Sequence, residues 1–536
     1  MHWVGILARM AALRIPLVMK IFASVVVSIG FTVAAFADDA VSLKLLSTLK
    51  TGNFDEGAAE IVDYDPGTKR AFVVNGEKGN ITIVDLSDPS KISAAKEIAV
   101  SEYGKEFTCV AVHGNLVALT AVPADKQSPG KLVVMDTDGA VLQTFPTGAL
   151  PDNVGISPDG RFIVTANEGE PNDDYNNDPE GSVTVVEVAE NVADSTVTQI
   201  TFGEITEVPE SVRIFGKKAS IAQDLEPEFV CISGDSKTAY IMCQENNGAL
   251  IIDLPSKSIK GLVGLGFKDH NEAGNGFDAS NKTDEVMIKT WPVLGMYQPD
   301  SAVAAVINDK TFIFTANEGD ARDYDGFSEE ERVEDLKLDA EAYPNAAELQ
   351  DVKQLGRLKT TSATGDTDGD GDIDQIYSYG ARSFAIWDDE MTLVWESGDM
   401  IERITSERLG KGFNATNDES PSFKNRSDDK GPEPEAIAVG TIGGRTFCFV
   451  GLERVGGVMV FDVSDPSAPT FAGYENNRNF AVEFDEDNPD GAADAGDLGP
   501  EAIVFIPAAE SPNGKDLIVV SNEVSGTVSV FEVGVN

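Results

Sequence analysis

Across residues 38–536 the apolar positions fall in short β-branched runs separated by turn signals, with almost no long stretch of helical periodicity. One stretch shows the plan. Val154–Ser157 is a strand, Ser157-Pro158-Asp159-Gly160 a turn and Arg161–Ala166 a second strand. Ser182–Val188 follows as a third strand and Thr196–Phe202 as a fourth. Four antiparallel strands per unit is the pattern of a propeller blade. The third strand is the easiest to follow along the chain. It recurs as Ile81–Asp85, Leu132–Asp136, Val183–Glu187, Ala249–Asp253, Ser383–Asp388, Val458–Asp462 and Val528–Glu532, which makes seven units. The last unit stops at its third strand, while Val41–Leu49 has no blade of its own. This N-terminal run is expected to supply the missing outer strand, which removes the open edge of the ring. The predicted fold class is all-β, a seven-bladed β-propeller closed by an N-terminal strand.

Two insertions interrupt the pattern. Residues 267–298 form a Gly- and Asn-rich loop between the fourth and fifth units, and residues 319–377 separate the second and third strands of the fifth. Ser328–Leu338 reads as a short helix capped by Ser328, with Glu329, Glu330 and Glu331 in its first turn. Long ordered insertions in a compact array are usually functional.

Two short phrases also recur. Pro plus an acid opens a unit, and Asn or Gln plus Glu, or a close variant, closes its second strand. The pairs are Pro151-Asp152 with Asn167-Glu168, Pro227-Glu228 with Gln244-Glu245, and Pro299-Asp300 with Asn317-Glu318. They continue with Pro434-Glu435 and Leu452-Glu453, then Pro500-Glu501 and Asn522-Glu523. The first two units carry degenerate versions, at Glu56–Glu60 with Asn75-Gly76-Glu77 and at Glu106-Phe107. In a blade the start of the first strand and the end of the second lie on one face of the disc. Folding is therefore expected to gather Asp152, Glu168, Glu228, Glu245, Asp300, Glu318, Glu435, Glu453, Glu501 and Glu523 at one mouth of the central channel. Like charges so crowded raise one another's pKa, and bound cations relieve the repulsion. The alternative is that each acid only satisfies local backbone N–H groups at a turn.

Composition sharpens this reading. Asp and Glu number 90 against 41 Lys and Arg, and the formal charge is -49. Such a surface repels nucleic acid and anionic lipid and attracts hard divalent cations, although adaptation to salt would also produce it. Met19-Lys20, the apolar run Ile21–Phe36 and Ala35-Phe36-Ala37 form a signal peptide over residues 1–37, with Met19 an alternative start. The mature chain is expected in the periplasm or outside the cell, without a membrane anchor and as a monomer. Cys109, Cys231, Cys243 and Cys448 all sit in strand-like runs without metal-ligand spacing, so buried thiols are expected, with Cys231 and Cys243 the one pair placed to bridge.

Asp366, Asp368, Asp370, Asp372 and Asp374 alternate with small residues, and Gly371 and Ile373 fill positions 6 and 8 of a calcium loop. Tyr377 stands where that loop has its bidentate Glu, so either a further ligand comes from elsewhere or the affinity is weak. An acidic solvated turn is the alternative. Arg322, Arg382 and Arg454 lie among the acids, where an Arg either grips an oxyanion or neutralises its neighbours. His113 and His270 are the only histidines beyond the leader, which argues against a His-rich zinc site. No G-x-S-x-G elbow or Walker loop occurs.

The stretches Gly266–His270, Gly274–Gly276, Trp291–Val293, Gly295–Asp300, Thr315–Tyr324, Asp368–Asp374 and Gly431–Glu435 together resemble the choice-of-anchor I proteins. The resemblance covers essentially all of residues 42–534. It implies a β-propeller of exported bacterial proteins, related to mesenchyme-specific cell-surface glycoproteins of biomineralising animals. Some bacterial members are described as atypical alkaline phosphatases. The expected function is thus an exported calcium-binding propeller acting as a metal-dependent phosphomonoesterase on a phosphate ester or other oxyanion. Arg322, Glu318 and Asp320 are the expected catalytic groups. Calcium is the expected cofactor, and because it acidifies water poorly, a transition or trivalent ion such as iron is expected beside it. The alternative is a calcium-loaded propeller for adhesion, mineral handling or scaffolding, without turnover.

Overall fold

The computed structural model describes residues 39–485 and 487–536, so the leader predicted over residues 1–37 lies outside the described residues. β-branched and aromatic runs pair locally through tight turns, and the described residues form seven four-stranded antiparallel sheets. The innermost strands, in order, are Val62–Asp65, Glu106–His113, Pro151–Ile156, Phe229–Ile232, Ser301–Ile307, Pro434–Ile442 and Pro500–Ile506. Each packs against the next, and the seventh packs against the first, so the ring closes. The hydrophobic core is divided accordingly, with one buried apolar layer between each neighbouring pair of blades. Phe162, Val185, Ile241 and Leu250 fill the layer between blades three and four. Phe314, Phe384, Val450 and Phe461 fill that between five and six.

The last blade is completed from the other end of the chain. Val41–Lys50 runs antiparallel to Thr527–Val535, with Val41 opposite Val535 and Lys50 opposite Thr527. Alternation puts Val41 and Leu43 into the core while Leu45 faces solvent. All seven predicted third strands occupy the third place in their sheets. The four cysteines are free and buried.

The two insertions build one accessory sheet of five short strands. Its order is Phe267–Asp269, Leu294–Met296, Tyr377–Ser378, Lys359–Thr361 and Glu330–Arg332. Phe277, Trp291, Val333, Leu355 and Leu358 form its own apolar core. The helix predicted at Ser328–Leu338 is not formed. Phe327–Ser328 and Glu330–Arg332 are strands, and Glu330–Arg332 pairs with Lys359–Thr361. The reason is tertiary: the Glu329 carboxylate is fully buried and held by Arg213, which fixes the backbone in an extended path. Among the described residues the longest helix is instead Met400–Leu409, whose Ile401 and Ile404 join the layer between blades five and six.

Two outcomes test this frame. Leu43→Ala should cost about 2–4 kcal/mol in a denaturant melt, whereas Leu45→Ala, at a side chain 41% exposed, should cost within about 0.5 kcal/mol. Asp63 accepts the N–H groups of Tyr64 and Val112, both at 2.7 Å, and so ties blade one to blade two. Burial lifts its carboxyl from 3.8 to about 6. A carboxyl raised on folding costs nothing below its unfolded pKa and destabilises increasingly as pH rises through the folded value. Asp63→Asn should therefore flatten the fall in melting temperature between pH 4 and 6.

Candidate metal centre at the channel mouth

The repeated phrases meet in register. Pro151 is opposite Asn167, Pro434 opposite Leu452 and Pro500 opposite Asn522, and each ladder bulges at once, across Asp152, Glu435 and Glu501. A bulge takes a side chain out of strict alternation and re-aims it. The residue before the Pro is left-handed in four blades, with φ of 43° at Leu150, 40° at Gln298, 54° at Glu433 and 70° at Gly499. Only at Gly499 is this conformation free of a Cβ penalty. The carbonyls of these residues accept from the closing phrase, Glu168 N to Leu150 O at 2.9 Å, Gly319 N to Gln298 O at 3.0 Å, Glu453 N to Glu433 O at 2.8 Å and Glu523 N to Gly499 O at 2.8 Å. One backbone device thus sets the acids of both phrases side by side.

The acids converge. A cavity of about 610 Å³ runs along the inner strands, with Glu60, Asp152, Glu228, Asp300, Glu501 and Glu523 in its wall. Burial first and the neighbouring carboxylates second push the carboxyls up. Glu60 and Glu453 reach about 8, and Asp152 and Glu245 about 7. Glu168, Glu228, Asp300, Glu435 and Glu501 lie well above the usual range, and Glu523 is also raised. Glu228 feels Glu245, Glu168, Asp300 and Asp152, and Glu435 feels Glu501, Glu453, Glu318 and Asp300, so acids from blades three to seven share one field.

Within this rim three groups are tight enough to share an ion. Carboxylate oxygens of Asp300, Glu318 and Glu435 lie within 4.8 Å of one another, as do those of Glu318, Glu433 and Glu453, and those of Glu168, Glu226 and Glu245. The second group is already ion-paired. Arg426 Nε donates to Glu433 at 2.8 Å, Arg454 Nε lies 3.1 Å from both Glu433 and Glu453, and Lys430 Nζ lies 3.2 Å from Glu433 and also holds Glu318. Burial would raise Glu433, but these three cations hold it well below the carboxylate range. In the first group Gln244 Nε2 donates to Glu318 at 3.0 Å, and Oε2 of Glu435 is buried with no hydrogen bond.

The expected catalytic groups are placed differently from one another. Glu318 is at the rim between Lys430 and Gln244. Asp320 is solvent-exposed and lies in the same loop as Glu318. Arg322 is fully buried. It pairs with Asp224 and Glu226, donates to the Asp224 carbonyl at 2.8 Å and lies over Phe215 with its Cζ 4.6 Å from the ring centroid. Glu226, Glu433 and Lys430 are rim groups that the repeated phrases did not name. A signal existed: Glu226-Pro227-Glu228 and Glu433-Pro434-Glu435 are the same Glu-Pro-Glu triplet, with the leading Glu as much a part of the pattern as the trailing one.

The acidic loop stands apart on the second insertion. Its exposed turn is set by Asp366, which accepts from Gly369 N at 2.7 Å and Gly371 N at 3.0 Å, and by Asp374, which accepts from Thr367 N at 2.8 Å. Asp366, Asp368 and Asp374 form one close group, and Asp339 joins Asp372 and Asp374 in another, while Asp370 belongs to neither. Asp339 enters because Leu338 bridges to Ile373 in parallel, and it supplies an acid from outside the loop.

Closed circular sheets with acids gathered at one mouth define the chain as a β-propeller with a carboxylate-rich channel entrance. The choice-of-anchor I domain model matches residues 60–466, and the chain belongs to that family. Among characterised relatives, Gigasin-3a of Magallana gigas is 33% identical over 195 residues, covering 34% of this chain and 66% of that protein. The mesenchyme-specific cell surface glycoprotein of Strongylocentrotus purpuratus is 24% identical over 282 residues, covering 46% of this chain and 36% of that protein. The chain thus spans two thirds or less of either relative's length. Similar solved structures include Kuenenia stuttgartiensis hydrazine synthase, with TM-score 0.44, 14% identity and coverage of 90% of this chain and 98% of that one. Streptogramin B lyase has TM-score 0.43, 8% identity and coverage of 92% and 97%. Among the described residues no helix is long and apolar enough to cross a membrane.

Arg322 should prove indispensable to the local fold. Arg322→Ala strands two buried carboxylates and should cost about 3–5 kcal/mol. Arg322→Lys should not restore the loss, since an ammonium cannot reproduce the forked contacts. Equilibrium melts of both variants check this.

Proposed function

We propose that this chain is an exported, metal-dependent phosphomonoesterase working at the acidic mouth of the propeller. The observation that carries the reading is the group of Asp300, Glu318 and Glu435, three carboxylates from neighbouring blades with one buried oxygen unpartnered. Oxygen-only donors suit hard cations such as calcium, and a transition or trivalent ion is the second candidate. When bound, such an ion supplies Lewis acidity toward a phosphoryl oxygen and toward water. The chain's own groups do the rest. Asp300, Glu318 and Glu435 would hold the ion, and Asp320, the exposed acid of the same loop, is the one placed to meet a substrate. Arg454, whose side chain keeps 26% of its surface exposed, is the cation available to a phosphate oxygen. Arg322 acts through Asp224 and Glu226, as a positioning residue. Calcium in the Asp366–Asp374 loop, completed by Asp339, would brace the second insertion.

The second reading is a cation-loaded propeller without turnover. It is favoured by the full commitment of Arg322 to protein carboxylates and by the cell-surface relative. Hydrolysis of a chromogenic phosphate monoester at alkaline pH decides between them. Turnover should vanish on chelation and return with metal, and Asp300→Asn and Glu435→Gln should each lower kcat by about a hundredfold or more. No turnover under any metal supplement leaves the binding reading.

A further inference from the structure

Charge is met unevenly around the rim. At Glu433 three cations meet three acids, Glu318, Glu433 and Glu453, whereas between blades three and four carboxylates outnumber cations. We propose that Glu168, Glu226 and Glu245 form a separate cation site, which takes a calcium-sized hard ion and locks the second insertion onto the ring. This inference rests on the cation-binding part of the preceding reading and not on turnover.

The three side chains are 7%, 1% and 6% exposed. Arg322 engages Oε2 of Glu226 and leaves Oε1 buried without a hydrogen bond, and Oε2 of Glu245 is in the same condition. Arg322 also serves Asp224, so four buried carboxylates confront one guanidinium. Buried charge without a partner costs several kcal/mol per ion, and a bound cation removes that cost. With carboxylate donors alone, the site suits calcium over zinc or copper. The donors are set in advance. Asn246 accepts from Glu226 N at 3.0 Å and donates to the Arg213 carbonyl at 3.0 Å, and Arg213 donates to the Glu245 carbonyl at 2.9 Å. Arg322 and Tyr324 both come from the second insertion, and the Tyr324 hydroxyl donates to Glu170 at 3.0 Å, beside the site. An ion on Glu226 is therefore one side chain from the insertion.

The test uses the full mature chain carrying Asp366→Asn to weaken the acidic loop, stripped of metal and titrated with calcium chloride by calorimetry. Terbium chloride is titrated in parallel, with emission excited through Tyr324 and through Tyr175, whose ring centroid lies 5.6 Å from that of Tyr324. Glu226→Gln and Glu245→Gln should each lose one bound ion per chain together with the sensitised emission, and hydrogen exchange should quicken around residues 320–332. Asp300→Asn, which belongs to the other carboxylate group, should lose the ion held there but keep the sensitised emission and the slow exchange around residues 320–332. Equal ion counts and emission in the parent and Glu245→Gln overturn the proposal, as does loss of the emitting ion in Asp300→Asn. Should both Gln variants fail to fold, Tyr324→Phe decides: an unchanged ion count with weakened emission is expected, and unchanged emission overturns it. Absence of phosphatase turnover leaves every one of these outcomes readable.

Discussion

Repulsion between carboxylates forced into one small space is the constraint on which this molecule turns. A ring of sheets brings the starts of the inner strands and the ends of their neighbours to one face, and in this chain both places carry acids. Low local dielectric magnifies the repulsion. Three answers are built around the mouth: protonation, as the raised pKa values of Glu60 and Asp152 imply; ion pairing, as at Glu433; and free, buried oxygens, as at Glu226, Glu245 and Glu435. The functional proposals rest on the third.

Such crowding needs a frame that cannot relax. Seven interblade apolar layers and a ring closed by pairing of the two chain ends provide it. The left-handed residues before the opening prolines show the frame imposing local cost. Leu150, Gln298 and Glu433 adopt a backbone region that side chains with a Cβ avoid, and each is held there by an accepted hydrogen bond from the closing phrase. Strained backbone of this kind persists where surrounding structure over-determines it, and it gathers at functional sites.

Much of the fold was legible because strands in a propeller pair with their sequence neighbours, so alternation and turn residues suffice. The third strands, the closing strand at Val41 and the position of both insertions could all be read this way. The site was legible as far as it depended on repetition. Asp152, Glu228 and Glu501 follow a proline and were visible, while Lys430 and Arg426 come from an irregular segment and reach Glu433 only in three dimensions. The extended path at Glu329 was hidden for the same reason, since its cause is Arg213, more than a hundred residues away. Local propensity there argued for a helix and lost to a buried ion pair.

The closing strand also orders events in time. During synthesis Val41–Lys50 emerges well before its partner Thr527–Val535. At roughly 5–20 residues per second the interval is on the order of half a minute or more. Throughout it, Val41 and Leu43 lack the surface they finally cover, and an unpaired edge strand invites association with other chains. Burial of those two side chains thus marks the closure of the ring. A nascent chain stays vulnerable to aggregation until residues 527–535 are available to pair with that strand.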